Sequence, residues 1–168
     1  MAKPRKPVKL MSVLVKSKGG WHYIEVSAKI ALRFETDPKT RRVVCTLNGA
    51  HTFQCALSPN KGVFTISVNA EIRKKLNLAE GDEVTVELAE DTSKYGAPMP
   101  EDFEEVLRQD PDGERLFHAL TAGMQRSLIY LLNGIKNLDR RIHAGLIVLE
   151  HLKENNGPVI AERLNEDL

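Results

Sequence analysis

Apolar and polar positions change rhythm near the middle of the chain. Through residue 91 they mostly alternate; beyond residue 100 they recur at three- and four-residue spacing. Val8, Leu10, Val13 and Val15 predict an extended stretch, Gly19-Gly20 a turn, and Tyr23 to Val26 a second strand. The runs 43–47 and 52–57 flank Asn48-Gly49, a strong hairpin signal. A loop of residues 48–50 sets Cys45 opposite Phe53 and Val43 opposite Cys55, which gathers Val43, Cys45, Leu47, Phe53 and Cys55 on one apolar face. The two sulfurs are then diagonal neighbours, about 7–8 Å apart by position, too far for an unstrained bridge. Two free, buried thiols acting as small hydrophobes are expected.

The first half also echoes itself. WHYIEVSAKIALRF at 21–34 overlays VFTISVNAEIRKKL at 63–76, so that Ile24 meets Ile66, Val26 meets Val68, Ala28 meets Ala70 and Ile30 meets Ile72. Each copy reads as a strand, a capping residue (Ser27 or Asn69), one or two helical turns, and another strand. A repeated unit of this kind predicts a small closed β-barrel with pseudo-twofold symmetry.

After the turn-rich stretch Tyr95-Gly96-Ala97-Pro98-Met99-Pro100 the pattern becomes helical. Pro100 opens a helix whose first turn is acidic, as the helix dipole favours, with Phe103, Val106 and Leu107 as its apolar stripe. Asp110-Pro111 restarts the chain ahead of Leu116, Phe117 and Leu120. Further stripes run through Leu128, Ile129 and Leu132, and through Ile142, Leu146, Leu149 and Leu152, up to Asn155-Asn156-Gly157-Pro158. The fold class expected is α+β: a barrel domain at 8–92, then a bundle of three or four helices at 99–157, with 1–7 and 158–168 as flexible tails.

Two resemblances follow from these residues. ISVNAEIRKKLNLAEGDEVTVELAED at 66–91, with its Gly81-Asp82 corner and its Val84, Val86, Leu88 alternation, resembles the hairpins of AbrB/MazE-type barrels. Residues 8–91 as a whole resemble a widespread bacterial domain of unknown function with that fold. Pro100, Phe103, Leu107, Pro111, Phe117 and Leu120, then Gln125-Arg126, Tyr130, Lys136 and Arg141-Ile142, resemble the helical domain of the bacteriocin-protection, YdeI/OmpD-associated family. Leu132-Asn133 departs from that pattern, where many members carry Trp before the Lys. The second resemblance implies a protective or binding role and no established reaction.

Charge sharpens the picture. The net charge is +1, yet residues 1–20 hold six bases and no acid, while 77–118 hold 13 acids against three bases. The longest apolar runs are far below the ~20 residues of a spanning helix, and the basic start lacks a signal-peptide core, so a cytoplasmic protein is expected. Two cysteines exclude a disulfide scaffold and a four-cysteine zinc site. No phosphate loop or HExxH occurs, and His143 and His151 lie about 12 Å apart on one helix, so neither a metal nor a cofactor is expected.

The expected function is therefore a non-enzymatic protein binding a small ligand or peptide, as a monomer or weak homo-oligomer. Candidate ligand contacts are Trp21, Arg126, Tyr130, Lys136, Arg140 and Arg141, the bases converging where the last two long helices meet; ion pairing with the acidic helix is their alternative use. A DNA-binding regulator using Arg73, Lys74 and Lys75 is the other function considered; the near-neutral total and the acidic block argue against it. No catalytic residue is assigned.

Overall fold

The computed structural model describes Lys3, residues 5–36 and residues 40–168, which divide into two compact units, 1–92 and 93–168. The first holds β1 (Val8–Val13), β2 (Val15–Lys16), β3 (His22–Ser27), α1 (Ala28–Ala31), a 3-10 turn (Leu32–Phe34), β4 (Arg42–Leu47), β5 (His51–Ala56), β6 (Ser58–Asn60), β7 (Val63–Ser67), α2 (Ala70–Leu76) and β8 (Glu83–Glu90). Two antiparallel four-stranded sheets result, ordered β1-β8-β4-β5 and β2-β3-β7-β6.

A single buried residue separates β1 from β2, and another separates β5 from β6: Leu14 and Leu57, each 1% exposed. At each joint the chain passes from an edge of one sheet to an edge of the other. Leu14 donates its N–H to the Asp82 carbonyl at 2.9 Å, and Leu57 donates to the Arg41 carbonyl at 2.8 Å. The internal echo is thus structural. β1, β2, β3, α1 and β4 have counterparts in β5, β6, β7, α2 and β8, and Ile24 lies directly opposite its equivalent Ile66 in the β3–β7 ladder. Ile24, Val26, Ile66, Val84, Val86 and Leu88 are fully buried between the sheets. Inward apolar positions at period two leave no other stable face. The strand pairing gives two sheets rather than one unbroken ring of hydrogen-bonded strands.

The hairpin register is the expected one. Val43 pairs with Cys55, Cys45 with Phe53, and Leu47 with His51 across a loop of residues 48–50. Asn48 (φ 52°) and Gly49 (φ 63°) both occupy the left-handed region that such a turn needs. The Asn48 side chain then accepts the Thr85 N–H at 2.9 Å, tying the turn to β8. Both cysteines are free, but only Cys45 is buried, whereas Cys55 is half-exposed. Cys55 lies two residues from the joint at Leu57 on an edge strand, where no further strand of its sheet covers it. The neighbouring Cys55 thiol, and then burial, push the Cys45 thiol above its usual range.

The second unit holds α3 (Glu101–Gln109), α4 (Pro111–Ala119), α5 (Ala122–Asn133), α6 (Leu138–Glu154) and α7 (Ala161–Asp167). Side chains of Asp110, Thr121 and Asn137 cap α4, α5 and α6 by accepting the N–H three residues on. Phe103 and Phe117 meet edge-on at 5.4 Å in the core. Two glycines let helices approach closely: a Cβ at Gly113 would lie 2.9 Å from Leu149, and one at Gly145 2.9 Å from Phe103. Four of these helices fall within 99–157, and the fifth, α7, lies in the stretch 158–168 expected as a tail. Leu164, 3% exposed, docks α7 through one apolar side chain, too sparse a signal to form a stripe in sequence. Among the described residues no helix is long and apolar enough to cross a membrane.

Candidate functional site

The helical unit carries a groove along α6. One cleft of about 270 Å³ includes Ile135, Asp139, Arg140, Ala144 and Leu168 in its lining. A second, of about 340 Å³, includes Leu146, Glu150, His151, Glu154 and Asp167. Both are also lined by His143 and Ile147, so they adjoin along α6 and are treated together as one groove. The α6 contributions recur at helical spacing and so share one face, and the end of α7 supplies Asp167 to the opposite wall.

His151 sets that wall. It is 2% exposed, and its Nε2 accepts the Ile160 N–H at 2.9 Å, at the residue that precedes α7. An imidazole accepting at Nε2 is neutral, with its proton on Nδ1. His151 is therefore an anchor for α7 more than a free ligand. Among the described residues no three His, Cys, Asp or Glu side chains are grouped to hold a metal ion.

Two sets of charged side chains in this unit bear on the groove. Some hold helices together: Arg141 Nε donates to Asp102 Oδ2 at 2.7 Å, and Lys153 Nζ donates to Asp110 Oδ2 at 2.7 Å and also pairs with Glu150. The Lys153 bond, followed by the Gly113 N–H, holds the Asp110 carboxyl below the usual range, and Asp110, then Glu150, raises the Lys153 ammonium. The side chains of Asp139, Arg140, His143, Glu154 and Asp167 make no hydrogen bond or ion pair with the described residues, and all line the groove.

Of the residues expected from sequence to bind a ligand, Arg140 lines this groove. Arg141 instead borders a separate cleft of about 390 Å³ beside Pro100, Asn133 and Leu138, where its guanidinium is committed to Asp102 and to the Ile135 carbonyl at 3.0 Å. The alternative use, pairing with the acidic helix, is thus what Arg141 does. Arg126 and Tyr130 sit four residues apart on α5, with Tyr130 47% exposed, and Lys136 reaches the Asn133 carbonyl at 3.4 Å. Trp21 belongs to the first unit, where its indole N–H donates to Ser67 Oγ at 2.8 Å and its ring stacks on Tyr23. Arg73 donates to the Val68 carbonyl at 2.6 Å, Lys75 pairs with Glu71, and Lys74 is exposed.

Sequence reasoning missed His143, Ile147, Glu150 and Glu154. Asp139, His143, Ile147, Glu150 and Glu154 recur at three- and four-residue spacing, so the stripe was available in the sequence. It passes for a solvated helix face until α7 is seen beside it.

Residues 11–88 match the model of a domain of unknown function, DUF1905. The DUF1905 segment runs from the middle of β1 to near the end of β8 and so covers the two-sheet unit. No curated protein and no solved structure gave a match. The groove lies wholly outside the DUF1905 segment.

Proposed function

We propose that this is a non-enzymatic binding protein whose helical unit takes a ligand or peptide in the groove along α6. The observation that carries this reading is the groove itself: an apolar middle at Ala144, Leu146 and Ile147 between ends bearing charged side chains that serve no fold contact. Binding sites combine apolar lining with a few placed polar groups in this way. The charged residues used for structure, Asp102, Asp110, Arg141 and Lys153, are by contrast paired.

The same proposal takes the first unit as a scaffold. Its two sheets, joined at Leu14 and Leu57, would close as one barrel with AbrB-like hairpins. It takes the second unit as a YdeI/OmpD-associated-like domain of a bacteriocin-protection protein acting in the cytoplasm. Support for the latter is the core use of Phe103, Leu107 and Phe117, three of the residues that carry the resemblance.

The test is a thermal-shift and titration screen of the full chain against peptides and metabolites. Hits should weaken in Leu146→Lys, a change at a side chain 48% exposed that leaves the core intact. Steady turnover of a library member, at a rate sensitive to one polar side chain, would overturn the reading. The regulator alternative predicts tight binding to random duplex DNA that weakens steeply between about 50 and about 200 mM salt.

A further inference from the structure

The two ends of the groove differ in charge. At the start of α6, Asp139 and Arg140 offset one another. Toward its end Glu150, Glu154 and Asp167 line the cleft, and no Lys or Arg is among the lining residues there. Two cations stand nearby, and both are engaged: Lys153 is shared between Asp110 and Glu150, and Arg163 donates to Asn155 Oδ1 at 3.0 Å. His151 cannot supply a charge while its Nε2 accepts the Ile160 N–H. Between the two ends Leu146 stands 48% exposed beside the half-buried Ile147.

The groove is also long. At 1.5 Å per residue, Asp139 and Glu154 are about 22 Å apart along the helix, far beyond a small metabolite. That distance suits roughly seven residues of extended peptide at about 3.3 Å each. From this charge asymmetry, apolar middle and length we infer that the occupant is a cationic amphipathic peptide segment of a partner. Its apolar side chains would cover Leu146 and Ile147, and its Lys or Arg residues would meet Glu154, Asp167 and Glu150. This deepens the binding-protein reading and rests on it.

The experiment uses the full chain and three fluorescein-labelled synthetic peptides with one apolar pattern, their charged positions filled by Lys, by Glu or by Ser. Anisotropy titrations compare the wild type with Glu154→Lys/Asp167→Lys and with Glu104→Lys, an exposed acid on α3 outside the groove. Only the Lys peptide should bind wild type. The double reversal should weaken it roughly tenfold or more, since each change turns an attraction into a repulsion. Glu104→Lys should leave the affinity within about twofold, as expected of an exposed charge outside the contact. Unchanged far-UV dichroism confirms that the variants are folded.

Binding of the Glu or Ser peptide in place of the Lys peptide overturns the cationic assignment and leaves the binding-protein reading standing. Equal losses in the double reversal and in Glu104→Lys reduce the effect to general acidity and overturn the groove assignment. If none of the peptides binds, the inference falls, and a clean ligand screen fails the broader reading too. Self-association of the wild type that the double reversal abolishes assigns the groove to the basic segment of a second copy, against a separate partner.

Discussion

The two units solve the burial problem differently. In the DUF1905 segment, alternation at period two delivers a row of side chains between two sheets, with Ile24, Val26, Ile66, Val86 and Leu88 at 0% exposure. In the helical unit the apolar core is supplemented by charged ties near helix starts, Asp102 to Arg141 and Asp110 to Lys153, and by glycines that let helices touch. Sheets place neighbours by backbone hydrogen bonding, so side chains need only fill space. Helices satisfy their own backbone, so side chains must decide which helices meet and how closely. Spare charged side chains along a groove are consequently a feature of the second unit.

The largest effect expected from breaking this contrast is in the sheet unit. Ile66→Ala removes a side chain facing Ile24 in a filled interior and should cost about 3 kcal/mol. Trp21 is the sole tryptophan and lies in this unit, so its fluorescence during urea unfolding reads the loss directly. A cost below about 1 kcal/mol would mean that the two sheets are not tightly packed at this point.

Asp110→Ala in the helical unit removes both the α4 cap and the tie to Lys153, for about 1–2 kcal/mol together. The same carboxyl gives this unit an acid-sensitive contact. Its pKa is lowered in the folded state, so its stabilisation is present above the unfolded value near 3.9 and is lost as pH falls through the folded value. Lys153, raised in the folded state, contributes below its unfolded value and loses that contribution as pH rises through the folded one. Asp110→Asn keeps a capping oxygen and removes the charge. Helical dichroism against pH should therefore show a shallower acid limb in Asp110→Asn than in wild type.

Gly145→Ala sharpens the contrast further. Ala normally favours a helix over Gly by about 1 kcal/mol. Here the added Cβ would sit 2.9 Å from the Phe103 ring, deep in the core, and a net loss of about 1 kcal/mol is expected. A gain in melting temperature would show that α3 can yield at this contact.

The smallest effects separate the two copies of the repeat. Asn69 accepts the Ile72 N–H at 2.9 Å, whereas Ser27 accepts the Ile30 N–H at 3.4 Å. Asn69→Ala should cost about 1 kcal/mol and Ser27→Ala about 0.5 kcal/mol. The reverse order would mean that the longer α2 depends less on its cap than the single turn of α1.

Much of the DUF1905 segment was legible because its determinants are local. Asn48-Gly49 sets a turn, the apolar face of β4 and β5 sets the register, and Ser27 and Asn69 mark helix starts whatever surrounds them. The site was less legible. Arg140 and Arg141 are adjacent in sequence and equivalent in chemistry, yet one opens on the groove and the other is held by Asp102, 39 residues away. A helix turns about 100° per residue, and only the position of α3 decides which of the two arginines finds a carboxylate.

α7 marks the limit of sequence most clearly. Alternation, caps and turns are properties of a few neighbouring residues, and the chain by itself determined the hairpin register, four of the five helices of the second unit and most of the strands, though not β6 or the break at Leu14. That a lone Leu164 would be buried, that His151 would hold Ile160, and that the far stripe of α6 would become a groove were decided by tertiary structure. Each depends on contacts between segments whose separation in sequence carries no periodic signal, and short helices gain their stability from such packing more than from propensity.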